Sequence, residues 1–350
     1  MLLLMLGQFG CQHYGPRSIL ADRLAYNDAV VSSWKQQTLL NIVRLRYVDT
    51  PEFIDVPSIV GGFEEARTMS GSFGAEVHPN DSIANFLTFG LGGSRSMSDR
   101  PTITYTPQTG SEFTTNLTRP IPAAMILNLI ESGAPADLVM ELAVESINGI
   151  RNRQVFGDLQ PADPEFQQVI QIMRKAQASG HVSMRLKPGK DKEHSDVLIM
   201  IRDQNMPPSA IEELAQLRKL LRLDPSVREF KLVFGVLPEA KDEIAIRTRS
   251  MLRILTFLAI NVQVPESHLA EGRAPDLSDG EPKMQPPLTV HSGCQKPCES
   301  FAAVQYQGYW FWIDDRDLIS KRSMIYLKIL LALANTGQKD AGPALTIRAN

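Results

Sequence analysis

The spacing of apolar residues near the start of the chain predicts a long helix over residues 22–47. Apolar side chains recur there at intervals of three and four, at Tyr26, Val30, Trp34, Leu40, Val43 and Tyr47. That period places them on one side of a helix. Pro51 follows and ends the pattern.

Residues 52–118 are rich in Gly, Ser and Thr, and their short alternating stretches predict strands. A hairpin is predicted over 68–93. "PTITYTP" at 101–107 predicts a strand between prolines, expected to pair with "EFTTNL" at 112–117. Two helices are predicted next, one after Pro120–Pro122 and one after Pro135.

The pattern of the second half of the chain predicts two units, each with the order helix, strand, strand, helix, strand. Residues 152–164 are predicted to be a linker. One unit covers 163–237 and the other covers 242–350, beginning with a helix at 242–262 and ending with a strand at 344–349. The fold class is therefore α+β, with a long first helix, a Gly/Ser-rich β region and a helix pair before the two units. The predicted domains are 1–18 (signal and tether), 19–157 (N-terminal) and 158–350 (C-terminal).

Composition indicates a folded protein without a nucleic-acid-binding face. Hydrophobic residues make up 43% and charged residues 21%, as in ordinary globular domains. Lys and Arg number 36 against 39 Asp and Glu, so no basic excess favours binding to nucleic acid. The apolar run Ile325–Ala334 contains Lys328 and is shorter than the roughly 20 residues of a membrane-spanning helix.

The first residues resemble the lipobox of bacterial lipoproteins, in which a Cys is acylated after cleavage. Met1–Leu6 is apolar, Gly10 is small, and Cys11 follows directly. The pattern departs from a standard signal because the apolar run is short, no basic residue precedes it, and Gln8 and Phe9 stand near the cut. A start codon placed too far downstream would explain this; the alternative is an apolar terminus in a cytosolic protein.

Lipidation at Cys11 would tether the protein to a membrane, and Gln12 is compatible with sorting to the outer membrane, facing the periplasm. It would also leave Cys294 and Cys298 as the remaining cysteines, close to His291. Three states of this pair stay open: a disulfide, which an oxidising compartment favours, free thiols, or part of a metal site.

The segment "QYQGYWFWIDDRD" predicts a hairpin that turns at Gln307–Gly308 and runs into a helix at 317–335. Asp314, Asp315 and Asp317 mark the entry to that helix, where carboxylates accept hydrogen bonds from free backbone N–H groups. Asp317 is expected to pair with Lys321, four residues on. The alternative is an Mg²⁺ or Ca²⁺ site at the three carboxylates.

No further motif favours catalysis, although catalysis stays open. The Gly-rich stretch at 89–96 lacks the Lys-Ser/Thr ending of a phosphate-binding loop. No nucleophile elbow, zinc-protease helix or dinucleotide fingerprint is found, and no cofactor is predicted. On the hairpin at 68–93, Leu87, Phe89 and Leu91 would form one apolar face, suited to a membrane or to other copies; the alternative is an ordinary edge hairpin.

Four stretches resemble a family of uncharacterised bacterial proteins, many of them predicted lipoproteins. They are "LLNIVRLRY" with "PEFIDVPSI" (39–59), "PTITYTPQTGSEF" (101–113), "ESINGIRNR" (145–153) and "GYWFWIDDRDLISK" (308–321). The resemblance spans the chain from about residue 24 to the final predicted strand. It implies an envelope location and no particular activity. The Cys294/Cys298 pair is not part of the pattern.

Three functional hypotheses follow. The first is a cell-envelope lipoprotein with a structural, assembly or binding role, whose partners are the membrane and either copies of itself or other envelope proteins. The second is a metal-dependent hydrolase or transferase that uses Asp314, Asp315 and Asp317. The third is a soluble cytosolic binding module.

Overall fold

The computed structural model describes residues 16–60, 63–76, 86–99, 102–155, 160–179, 182–188, 195–201, 207–277 and 286–335. The chain forms two compact units, one from residues 52–108 and one from the residues before and after them. The described residues form both helices and strands, which confirms the predicted α+β class. Cys11 and the predicted strand at 344–349 lie outside the described residues.

The helices are α1 (Pro16–Arg46), α2 (Gly110–Thr118), α3 (Ala123–Glu131), α4 (Ala136–Ala143), α5 (Pro164–Ser179), α6 (Pro208–Leu220), α7 (Met251–Ala259), α8 (Glu266–Ala270) and α9 (Leu318–Ala334). The strands are β1 (Ile54–Val60), β2 (Phe63–Glu76), β3 (Phe86–Asp99), β4 (Thr102–Pro107), β5 (Val144–Ile147), β6 (Ile150–Arg151), β7 (Val182–Pro188), β8 (Ser195–Ile201), β9 (Glu229–Phe234), β10 (Glu243–Thr248), β11 (His291–Gly293), β12 (Ala302–Tyr306) and β13 (Tyr309–Ile313). Within the described chain, no helix is both long and apolar enough to cross a membrane.

A six-stranded sheet in the order β6-β5-β10-β9-β8-β7 organises the larger unit. Its β9 and β10 run parallel, and the other neighbours are antiparallel. Helices α3 and α5 pack on this sheet. Leu127 of α3 and Val169 of α5 line the same cavity as Ile244 of β10. The boundary predicted at residue 157 crosses the sheet, because β5 and β6 precede it and β7 to β10 follow it.

A three-stranded sheet, in the order β11-β13-β12, belongs to the same unit. Helix α1 packs against β12 and against α7, and α7 also contacts α9. Phe311 on the central strand and Met324 on α9 are fully buried in this layer.

The predicted helix is confirmed, because α1 covers residues 22–46. Its buried face agrees with the predicted one only in part: Val43 is buried as predicted, whereas Val30 is 37% exposed and the fully buried Leu39 and Ile42 lie outside the predicted set.

The expectation of a strand at 112–117 was wrong. These residues lie in α2, and β4 pairs with β1 instead. Thr114, Thr115 and Thr118 each donate a hydroxyl hydrogen bond to the carbonyl four residues earlier, an arrangement compatible with a helix. Phe113 and Leu117 are partly buried at a spacing of four residues, which is the helical period.

The helix predicted at 242–262 was also wrong in its first part. Residues 243–248 form β10, and only Met251–Ala259 form α7. Ile244, Ala245 and Ile246 are all buried, so this strand is covered on both faces and lacks alternation. A short apolar run of this kind does not distinguish a buried strand from a buried helix.

Residues at both ends of the predicted linker belong to the larger unit and bond to its elements. Asn152 is buried, and its amide donates to the Glu141 carbonyl at 2.9 Å and the Val144 carbonyl at 2.8 Å. Arg151 forms an ion pair with Asp163 across 3.2 Å. The linker expectation was therefore wrong for these positions.

Candidate interaction surface

The unit at 52–108 contains a two-stranded antiparallel ladder formed by β1 and β4. Ile59 stands opposite Ile103, and Ser58 stands opposite Thr104. The register shifts between Asp55 and Ser58, where Pro57 cannot donate a backbone hydrogen bond. The alternation of β-branched and aromatic residues in β4 favours the extended conformation.

This ladder exposes several apolar side chains. All six residues of β4 are exposed, and the exposed fraction reaches 64% for Tyr105 and 61% for Val60. Ile54 and Ile103 are exposed as well. An isolated pair of strands is only marginally stable in water, and clustered exposed apolar residues indicate a contact surface. The β1–β4 ladder is therefore the candidate interaction surface.

The outer edge of β4 suits the addition of another strand. Among the described residues, β4 pairs with β1 alone. Edge strands are usually protected by charged residues or by Pro within the strand. Thr102–Thr106 contains neither, and Pro107 stands only at the end. Backbone groups along this edge can bond a further strand, as in peptide recognition by strand addition.

The predicted interface residues Leu87, Phe89 and Leu91 lie in β3, which pairs antiparallel with β2 over fourteen residue pairs. Phe89 stands opposite Phe73, and Leu87 stands opposite Ala75. The proposed apolar face of these residues stays a prediction.

The carboxylates at 314–317 hold local structure together. Asp317 caps α9, because its Oδ1 accepts hydrogen bonds from the Ile319 N–H at 3.1 Å and the Ser320 N–H at 3.0 Å. This confirms the predicted capping role. The predicted pair of Asp317 with Lys321 was wrong, since the Lys321 ammonium instead bonds Asp315 at 2.8 Å.

The carboxylates of Asp314 and Asp315 also bond to residues close to them in sequence. Asp314 accepts from the Arg316 N–H at 2.8 Å. The hydrogen bond from Lys321 lowers the pKa of Asp315 below its ordinary value. In the part of the chain that the structure describes, no three His, Cys, Asp or Glu side chains come together as a metal ion would require.

Cys294 and Cys298 are exposed free thiols in the structure. The nearby His291 lies in β11 opposite Trp312, and their ring centroids are 5.7 Å apart. The imidazole thus packs on an indole. The disulfide stays a prediction.

The hairpin of β12 and β13 has the predicted two-residue turn at Gln307–Gly308. Tyr306 pairs with Tyr309, and the turn residues have φ values of 45° and 89°. Positive φ at both positions is typical of the turn that matches strand twist. The Tyr306 hydroxyl donates to Asp49 at 2.8 Å and so ties the hairpin to the segment after α1.

A buried aromatic cluster beside this turn was missed by the sequence analysis. A hydrogen bond of 2.7 Å joins the Tyr47 hydroxyl to Nδ1 of His268, and the two residues are 7% and 3% exposed. Burial raises the pKa of Tyr47 to about 12 and lowers the pKa of His268. Both rings contact further tyrosines edge to face. These groups are enclosed and serve packing.

A second missed feature is the buried guanidinium of Arg249. It donates to the carbonyls of Glu141 at 2.7 Å, Leu142 at 3.1 Å and Arg153 at 2.6 Å. Its cation lies 4.0 Å above the Phe257 ring. Since Glu141 and Leu142 belong to the last turn of α4, this cation closes the negative end of that helix. Burial lowers the pKa of Arg249 to about 10, so the group stays charged at neutral pH.

Charged side chains near Arg249 form a compact network. Glu145 forms ion pairs with Arg253 and, at 3.5 Å, with Arg247. Burial raises the pKa of Glu141 to about 7. A cavity of about 40 Å³ lies against Glu145, Arg249 and Arg253, which is room for only a few waters. The network therefore joins α4, β5, β10 and α7.

No family model matches this chain, and no curated protein or solved structure is significantly similar to it. The resemblance to the family of predicted lipoproteins therefore stays an expectation.

Proposed function

We propose that the protein is a structural or binding component of the bacterial cell envelope that acts through its β1–β4 ladder. The observation that carries this proposal is the exposure of every residue of β4 together with the apolar side chains of Ile54 and Val60. Exposed β-branched and aromatic residues on an edge strand are suited to binding another polypeptide.

A lipid at Cys11 is the proposed attachment to the envelope, on the outer membrane facing the periplasm. Acyl chains gain free energy from burial in the bilayer, and the folded body would stay in the aqueous phase beside it. The apolar residues before Cys11 and the family resemblance support this location.

The roles of the acidic residues near α9 favour a binding role over hydrolysis or group transfer. Asp317 uses its carboxylate to cap a helix, and Asp315 pairs with Lys321. The enclosed Tyr47–His268 pair and the Arg249 network likewise use groups of perturbed pKa for packing. These are structural uses of the residue types that an active site would need.

Fractionation of cells that express the full chain tests the attachment. Cys11→Ser is expected to move the protein from the membrane fraction to the soluble fraction, because it removes the acylated sulfur. Cys294→Ser is the matched control, since it removes an exposed thiol of the folded body. Equal fractionation of wild type and Cys11→Ser would contradict the lipid attachment.

A further inference from the structure

We infer that β4 of one copy pairs antiparallel with β4 of a second copy, about a two-fold axis at Thr104. This inference rests on the proposed function and names the partner of the same surface. The paired ladders would form a four-stranded sheet in the order β1-β4-β4-β1. Three or more strands with an apolar face meet the requirement for a stable sheet that two strands do not.

The sequence of β4 is complementary to itself in this register. Thr102, Thr104 and Thr106 occupy one face of the strand, and Ile103 and Tyr105 occupy the other. In a pairing centred on Thr104, Ile103 stands opposite the partner's Tyr105, and Thr102 stands opposite the partner's Thr106. Aromatic residues opposite β-branched residues, and Thr opposite Thr, are favourable cross-strand pairs.

Neighbouring registers lose this match. A shift of the partner by one residue would place Ile103 opposite the partner's Thr104 and Tyr105 opposite the partner's Thr102. Polar and apolar side chains would then share both faces. A shift by two residues keeps the faces separate but places Tyr105 opposite Pro101 or Ile103 opposite Pro107 of the partner, so the match of Ile103 with Tyr105 is made in the register centred on Thr104. An interface in which each copy uses the same patch closes as a two-fold dimer.

The other edge of the ladder is less suited to accept a strand. β1 contains Pro57, which has no N–H to donate, and the charged Asp55 stands beside its register shift. Proline, charge and bulges are features that block strand addition at an edge. The open edge is therefore that of β4. Tethering to a shared membrane would raise the effective concentration of copies and promote even a small interface.

Cysteine cross-linking of the full chain tests the register. The parent carries Cys294→Ser and Cys298→Ser, which remove the exposed thiols, and each variant adds one cysteine in β4. Thr104→Cys is expected to form a covalent dimer on mild oxidation or with a short thiol cross-linker, because residues directly opposite have Cβ atoms about 4.5–5.5 Å apart. The parent itself should form none, which controls for Cys11.

Thr102→Cys and Thr106→Cys are the matched controls. Each should fail to cross-link alone, since its own copy lies about 13 Å along the strand. A mixture of the two variants should cross-link, because Thr102 is opposite the partner's Thr106. Absence of a dimer with Thr104→Cys, or equal cross-linking of Thr102→Cys alone, would overturn this pairing.

Sedimentation velocity gives a second readout without cysteine chemistry. Thr104→Lys would place two ammonium groups directly opposite, and its dimer dissociation constant should rise at least about tenfold. Thr104→Val retains the strand preference and should keep the wild-type constant. Equal dimer dissociation constants for Thr104→Lys and Thr104→Val would overturn the pairing.

The failure of this pairing and the failure of the proposed function can be told apart. If the cross-linking fails while the protein still fractionates with membranes, the pairing alone is wrong. If membrane fractionation fails as well, the proposed function is wrong too.

Discussion

Tyr47 and His268 lie 221 positions apart in sequence and share a buried hydrogen bond of 2.7 Å. The bond fixes the end of α1 to α8 beneath the turn of the β12–β13 hairpin. The neighbouring Tyr309 ring contacts His268 at a centroid distance of 4.9 Å. The first helix is thus held to the C-terminal part of the chain by an interaction between enclosed groups.

Tyr47→Phe should destabilise the protein by about 1–2 kcal/mol, because it leaves a buried ring nitrogen of His268 without its partner. The free energy of unfolding in urea measures this loss. Tyr309→Phe is the matched control, since the bond of its hydroxyl to Ser267 is exposed, and it should change the stability by less than about 0.5 kcal/mol. Equal effects of the two changes would refute the role assigned to the buried bond.

The carboxylate of Glu141 should make stability depend on pH. Burial raises its pKa in the folded state from 4.5 to about 7, so the folded state holds a proton between these values that the unfolded state has lost. This contribution is therefore complete below pH 4.5 and is lost as the pH rises through about 7. Its size is about 1–3 kcal/mol, given that the residue is partly exposed.

Urea unfolding of Glu141→Gln from pH 4 to pH 8 isolates this effect. The variant should lack the fall in stability between acid and neutral pH, because Gln does not ionise. The change Glu112→Gln, at an exposed position of α2, should leave the profile as in wild type. A parallel profile for Glu141→Gln and wild type would show that Glu141 has no such role.

Substitutions at the entry of α9 separate the capping role from metal binding. Asp317→Ala should cost about 1 kcal/mol, because two N–H groups of the first turn lose their acceptor. Asp315→Ala should cost less than Asp317→Ala, since its pair with Lys321 is exposed. Thermal unfolding measures both. A rise in melting temperature on addition of Mg²⁺ or Ca²⁺ that Asp315→Ala abolishes would instead support a metal site.

Local patterns allowed much of the larger unit to be predicted. The turn at Gln307–Gly308 and the cap at Asp317 depend on residues that are neighbours in sequence, and both were predicted correctly. The side-chain hydrogen bonds of Arg249 and His268 were missed because their partners lie 96 or more positions away. The spacing of residues in a sequence does not indicate which distant residues bond to each other in the fold.

The Thr-rich stretches at 102–118 were harder to predict for a different physical reason. Such stretches suit a strand or a local hydroxyl-bonded helix, so composition did not distinguish residues 112–117 from the strand at 102–107. The exposure of β4 depends on the absence of a covering layer, which is a tertiary property. Its uncharged, β-branched sequence was the available signal for an open edge.

Tyr105→Asp should prevent association through the β1–β4 ladder without unfolding the protein. The residue is 64% exposed, so the free energy of unfolding of the dilute monomer should change by less than about 0.5 kcal/mol. In the paired state the added carboxylate would face the partner's Ile103 and lose solvation. Size-exclusion chromatography with light scattering should find a monomer, whereas Tyr105→Phe should associate as wild type does. An associated Tyr105→Asp protein would contradict the assignment of this surface.

We propose that another strand covers the open edge of β4 in the envelope. Hydrogen–deuterium exchange of residues 102–107 measures this directly, in membranes that carry the protein and in dilute purified monomer. Strand addition predicts that amides of β4 exchange at least about tenfold more slowly in the membranes, because their N–H groups are then hydrogen-bonded and covered. Equal exchange rates in the two samples would contradict the claim.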